Sequence, residues 1–299
     1  MELSMNIGNL TGRFDLARCA EIYKAAGFTA VDYSLGELER EGTSLSSEDY
    51  RSAAEAARKT LNDAGLRVNQ THAPFHFTKW DDPVVFEEVI FPKFIRSIEI
   101  SAILGADVTV IHPLHHWVYR GHEEEIFEKN MAFYRRLIPY CREFGVKVGV
   151  ENMWQKDALR RFNSFDVCST IEEFVRYIDT LDSEYMVACL DVGHVGLPLQ
   201  DEEAHDFVRA LGHDRLKSLH IHDNDYTGDQ HLLPFLGKMN WTELTRALGE
   251  IDYTGDFTYE VNGKFLTNVS EGFIQTAANY MGDVGKFLVN EIEQNRPAK

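Results

Sequence analysis

The chain has 299 residues, 44% hydrophobic and 26% charged, which is enough apolar material for a sizeable core and too much for a disordered polymer. Its 30 Lys and Arg stand against 48 Asp and Glu, a formal net charge of −18 that argues against a nucleic acid or other polyanion as main partner, although a bound metal could supply local positive charge. The four cysteines, Cys19, Cys141, Cys168 and Cys189, form no CxxC pair, which argues against a disulfide scaffold or a zinc finger.

Short apolar runs alternate with longer stretches of helical period. Leu3–Ile7 reads as a first strand and Ala30–Tyr33 as a second, followed by an amphipathic stretch, Ser47–Ala64, closed by Gly65. Arg67–His72 is followed by a helical run from Val84 to Leu104, and Asp107–His112 by another from Glu123 to Phe144. Gly105 and Gly145 close these helices, and a Val- or Ile-rich run follows each, the usual stop and start signals. Further strands are expected at Lys147–Glu151, Tyr185–Asp191, Arg215–His222 and Asp256–Glu260, and a last helix at Phe273–Ile292. The stretch Trp154–Cys168 is the longest irregular segment after a strand and is expected to form a lid.

Eight strands, each with a helical segment after it, predict an α/β fold: a single (β/α)8 barrel domain over residues 1–299, with an open doubly wound sheet as the fallback. The polar residue ending each strand recurs after 40, 39 and 40 residues from His72 to Asp191, then after 29 and 40, and one βα unit needs about 30 or more residues. No stretch approaches the ~18 apolar residues of a membrane span. The opening MELSMNIGNL lacks the features of a secretory leader, so a cytoplasmic protein without a membrane partner is expected.

In a parallel barrel the carboxyl ends of the strands share one mouth. The third to sixth strands end at His72, His112, Glu151 and Asp191; the seventh contains His220 and His222, and the eighth ends at Glu260. His194 follows Asp191 by three residues, and Asp229 and His231 follow the seventh strand. Singly, each has an ordinary reading: a hydrogen-bonded wall histidine, a salt-bridged glutamate, an aspartate capping the next segment. Together they are hard to explain without a metal, because such residues avoid buried positions unless paired or coordinated. Oxygen and nitrogen donors alone suit Mn²⁺, Zn²⁺, Co²⁺ or Mg²⁺. Trp117, Trp154 and Phe235 are candidates to stack on a sugar face. GxSxG, GxxxxGK[ST], GxGxxG and HExxH are absent, and Lys238 and Lys264 stand in the last loops without a phosphate cradle.

The segments VIHP, GVENM, CLDVGH, LHIHDND and DQHLLPFLG, in this order, resemble those of the xylose isomerase-like barrel superfamily from His72 to Glu260. That family holds sugar isomerases and ketose epimerases with one divalent metal and endonuclease IV enzymes with three zinc ions. The resemblance implies a metal site of Glu151, Asp191, His220 and Glu260, with His194 beside it, either holding substrate or joining Asp229 and His231 around a second ion. His72, His112, Asp229 and His231 match positions that ligate the extra zincs of the endonuclease branch. Two departures stand out: DNDYTGDQHLL lacks the arginine of ketose 3-epimerases, and the long DNA-gripping loops of the endonucleases are missing.

The expected activity is a divalent-metal-dependent sugar isomerase or epimerase acting on a free or phosphorylated sugar. Glu151 and Glu260 would be base and acid in proton transfer through a metal-stabilised enediolate. His72, His112, His194, His222 and Trp154 would contact substrate, around one tightly bound ion. The alternatives are an endonuclease IV-like multinuclear zinc phosphodiesterase, a lyase or dehydratase on a sugar derivative, and a non-catalytic sugar-binding barrel. Homo-oligomerisation is left open.

Overall fold

β-Branched and aliphatic runs bounded by glycine and polar turns give eight parallel strands, and these close into a barrel. The computed structural model describes residues 1–77, 79–198, 200–261, 266 and 268–298. Strands β1 (Leu3–Asn6), β2 (Ala30–Ser34), β3 (Arg67–His72), β4 (Val108–Val110), β5 (Lys147–Glu151), β6 (Met186–Asp191), β7 (Leu216–His220) and β8 (Phe257–Tyr259) pair in chain order, with β8 returning beside β1. Between β7 and β8 the wall closes through Ile221 N–H to the Thr258 carbonyl (2.8 Å) and Glu260 N–H to the Ile221 carbonyl (3.0 Å). The fold is therefore the (β/α)8 barrel expected from the strand spacing.

The outer ring consists of α1 (Leu16–Ala26), α2 (Tyr50–Asp63), α3 (Phe91–Leu104), α4 (Glu123–Phe144), α5 (Ile171–Leu181), α6 (Ala204–Arg215), α7 (Trp241–Glu250) and α8 (Glu271–Gln294). The last of these packs against both α7 and α1 and so completes the ring. Helix starts are capped by side chains: Asp15 accepts from Arg18 N–H (2.8 Å), Thr170 from Glu173 N–H (3.3 Å) and Asn240 from Glu243 N–H (3.2 Å). At the end of α4, Gly145 adopts φ 71°, the left-handed conformation that lets the chain leave the helix for β5. Among the described residues no helix is long and apolar enough to cross a membrane.

Two segments depart from the sequence expectation. The run from Val84 to Leu104 is not one helix: Phe86–Ile90 forms a π-turn before α3 begins. Pro92 explains this, since it has no N–H to give to the carbonyl four residues back, and a wider turn accommodates its ring. The segment after β5 is not irregular. Trp154–Lys156 pairs antiparallel with Asn163–Phe165 as a hairpin over the barrel mouth.

The barrel interior is more polar than its strands suggest. Ser4 Oγ donates to Asn69 Oδ1 (2.6 Å) and Asn69 Nδ2 to Thr258 Oγ1 (2.9 Å), joining β1, β3 and β8, while Ser218 Oγ donates to Gln70 Oε1 (2.9 Å). Asn69 and Gln70 both reach across because Val31 pairs with Val68 and Asp32 with Gln70, leaving Asn69 as a bulge. These buried groups satisfy one another and form a floor below the mouth.

Candidate active site

Glu151, Asp191 and His220 are the last residues of β5, β6 and β7, and Glu260 follows β8 directly. Asp191 lies in register with His220. Each of the four offers a donor atom within 4.8 Å of the others. His220 Nδ1 is 3.2 Å from Glu151 Oε1 and 3.3 Å from Glu260 Oε2, so one imidazole bridges the two glutamates. Three overlapping groups adjoin this one: His72, His112 and Glu151; Asp191, His194 and His222; and His222, Asp229 and His231. His194 Nε2 lies 3.5 Å from Asp229 Oδ2 and 3.8 Å from Asp191 Oδ2.

The donor chemistry fits a divalent cation. The Nδ1 atoms of His72, His194 and His231 lie 2.8, 2.8 and 2.5 Å from the backbone carbonyls of Ala73, Asn152 and Glu260. A carbonyl only accepts, so Nδ1 carries a proton and Nε2 of each ring is turned towards the acids, where its lone pair is available to a cation once Nε2 is deprotonated. Glu151 Oε2 and Asp229 Oδ1 are buried without a well-formed hydrogen bond. Buried carboxylates left in this state need a cation.

The protonation pattern makes the same point. Burial pushes the Asp191 carboxyl up, but His194 and His222 outweigh it and bring it to about 2. Burial likewise raises Glu151, and the opposing pull of His220 and His112 leaves it well below the usual carboxylate range. Burial lowers His231, yet Asp229 and Glu260 beside it lift it to about 9. Raised imidazoles and lowered carboxyls together mark this site as one that favours positive charge.

Neighbouring residues fix these donors. Asn152 Nδ2 donates to the Asp191 carbonyl (2.9 Å) and its Oδ1 accepts from Asp191 N–H (2.8 Å). His222 is fully buried and donates from Nε2 to Asp191 (3.2 Å to Oδ2). It thus lies beside Asp191 and belongs to two of the adjoining donor groups. A Cβ at position 193 would overlap the His222 ring, so only glycine lets the backbone pass here. Asp223, which the sequence reading passed over, accepts five hydrogen bonds: from Asn224 and Met239 N–H at Oδ1 and from Phe235 N–H, Gly237 N–H and Trp241 Nε1 at Oδ2, all at 2.8–3.2 Å. Its backbone also pairs with Leu232, folding Asp229 and His231 back over the mouth.

A cavity of about 440 Å³ opens above the donors, lined by Glu151, Glu260, His72, His112, His194 and Trp154 among others. Trp154 enters it from the hairpin, whereas Trp117 lines a neighbouring groove and Phe235 packs against Trp241 and Phe287 instead. Phe75, also missed in the sequence, lies on the cavity wall against His72 and His112. Asp32 is a third omission: it is fully buried in β2, its Oδ2 is 3.9 Å from His220 Nε2, and burial raises its carboxyl to about 6. A carboxylate within the apolar run AVDY was the signal available for it. Lys264 lies outside the described residues.

A family model described as xylose isomerase-like TIM barrel matches residues 20–278. An uncharacterized protein of Sinorhizobium fredii is 25% identical over 80% of this chain and 79% of its own length. A D-psicose 3-epimerase of Enterocloster bolteae is 30% identical over 40% of this chain and 35% of its own. A probable endonuclease 4 of Bacillus licheniformis is 29% identical over 57% and 56%. Among solved structures, a D-tagatose 3-epimerase-like protein superposes with a TM-score of 0.75 at 21% identity, covering 98% of this chain and 99% of that one.

Proposed function

We infer that this chain, which belongs to the xylose isomerase-like TIM-barrel family, is a divalent-metal-dependent isomerase or epimerase of a sugar or sugar phosphate. The observation that carries this reading is the convergence of Glu151, Asp191, His220 and Glu260 at the edge of a cavity sized for one small molecule. These four residues would hold the ion. When bound, a divalent cation supplies Lewis acidity that polarises substrate carbonyl and hydroxyl oxygens and so acidifies the adjacent C–H bond.

Glu151 and Glu260 come from β5 and β8, three strands apart around the mouth, and so address a substrate carbon from two sides. One carboxylate oxygen takes the proton from carbon and the other carboxyl returns one to the opposite face. His72, His112 and His194 line the same cavity and would orient substrate oxygens. Trp154 closes the cavity from the hairpin side and helps to exclude water. Relatives bearing sugar-epimerase names lend this reading support. In it, residues 1–299 act as one domain and Asp229 and His231 serve the substrate.

A second reading, a multinuclear zinc phosphodiesterase, is favoured by one observation: the additional donor groups adjoin the first without a gap. Metal content of protein purified without chelator, measured alongside turnover on a sugar panel, separates the two. Close to one equivalent with sugar turnover is expected. Two or three equivalents, lost on Asp229→Ala or His231→Ala, together with incision of abasic DNA, would replace the sugar reading.

A further inference from the structure

Asp166 sits at the foot of the hairpin, away from the metal-ligand groups, and its side chain is 4% exposed. One oxygen has structural work: Oδ1 accepts from Val167 N–H at 2.8 Å, shaping the turn that leads into α5. The other, Oδ2, belongs to a residue that lines the cavity, and its ionisable neighbour His115 Nδ1 is 3.7 Å away, too far for a hydrogen bond. An asparagine or serine would cap Val167 equally well without a charge to bury. Burial pushes this carboxyl up to about 7, so the fold keeps it against a clear penalty. A group donating to the open oxygen would offset that penalty.

The rest of the wall limits what that group can be. The described residues of the cavity include four carboxylates, Glu151, Asp166, Asp229 and Glu260, and neither a lysine nor an arginine. Trp154 and Gln155 also line it, so Asp166 shares its side with an aromatic ring and an amide. A carboxylate beside an aromatic ring suits a polyol, whose hydroxyls donate to the acid while its C–H face rests on the ring. A phosphate or carboxylate at this end would instead meet like charge, with no guanidinium or ammonium among the described residues of the cavity to hold it.

Resting on the sugar reading above, we propose that Asp166 is a specificity-determining residue that accepts a hydroxyl hydrogen bond from the metal-distal end of an unphosphorylated sugar. The test uses the metal-loaded full chain, wild type and Asp166→Asn, on free ketohexoses and aldohexoses, their 6-deoxy analogues and their 6-phosphates. Asparagine keeps the Val167 cap and replaces the open acceptor; Asp166→Ser, which can also cap, is the second variant should the first not fold. For wild type, kcat/KM should fall about 10- to 100-fold when the distal hydroxyl is removed. In the variant that discrimination should shrink to within about threefold, through KM more than kcat, with metal content unchanged.

Turnover of free sugars with Asp166→Asn indistinguishable from wild type would overturn the assignment and leave the sugar reading standing. A 6-phosphate preferred over its free sugar would do the same. Metal-loaded wild type that turns over no sugar would remove the sugar reading, and the Asp166 assignment with it.

Discussion

Asp223 offers a sharp test of how the mouth is assembled, because it touches none of the proposed chemistry yet organises the loop that carries Asp229 and His231. Replacing it with alanine removes the acceptor for five donors, four backbone N–H groups and the Trp241 indole. Leaving a buried donor unsatisfied costs about 1–3 kcal/mol. At the low end, five donors give about 5 kcal/mol, a large share of the 5–15 kcal/mol that holds a typical domain folded. A loss of that size corresponds to a fall in Tm of roughly 10–20 °C for a large domain. Thermal unfolding followed by far-UV circular dichroism measures it, and KM for the sugar in the same sample reports on the loop. Asp223→Asn should fall between the two, since its amide turns one acceptor into a donor facing N–H groups. A Tm within about 2 °C of wild type for Asp223→Ala would refute the view that this carboxylate holds the loop. Lost stability with an unaltered KM for the sugar would refute its link to the site.

Glu151→Gln and Glu260→Gln should each lower kcat by about 10²-fold or more while far-UV spectra stay unchanged, with metal content assayed in parallel to separate proton transfer from lost ligation. Metal binding should release protons: burial lowers His220, one of the four proposed ligands, but Cys189, Glu260 and Glu151 around it outweigh that and hold it well above its ordinary value, so the ion must displace a proton. Affinity should therefore rise with pH, by up to tenfold per unit per proton displaced; calorimetry in buffers of different ionisation enthalpy reads the protons, and a pH-independent affinity would contradict the assignment. Glu173 is pushed up to about 7, chiefly by burial beside Tyr119 and Cys168. Its folded pKa lies above the unfolded one, so the folded state holds the extra proton, and its contribution is present at low pH and lost as pH rises towards 7. Glu173→Gln should flatten the fall in stability between about pH 5 and 7, by at most about 1.4 kcal/mol per unit; an unchanged slope in denaturant unfolding would show that another group carries it.

The sequence by itself determined the barrel and the composition of its mouth. Strand and helix periods are local properties, and a parallel barrel brings every strand's carboxyl end to one face, so the strand-end acids and histidines from His72 to Glu260 could be placed at one mouth from spacing, while the set Glu151, Asp191, His220 and Glu260 was singled out by the family resemblance. The hairpin at Trp154–Phe165 and the π-turn before α3 were less legible, because apolar alternation in the first is brief and a single proline governs the second. What only the tertiary structure decided is which atoms meet. Asn69 and Gln70 reach across the barrel only through a bulge, and His222 donates to Asp191 from a fully buried position. Asp223 gathers donors from residues 224–241, and Asp166 brings a carboxylate to the cavity wall. These roles depend on barrel closure and loop return, which bring together residues far apart in the chain. Residue type and local period carry no record of such contacts.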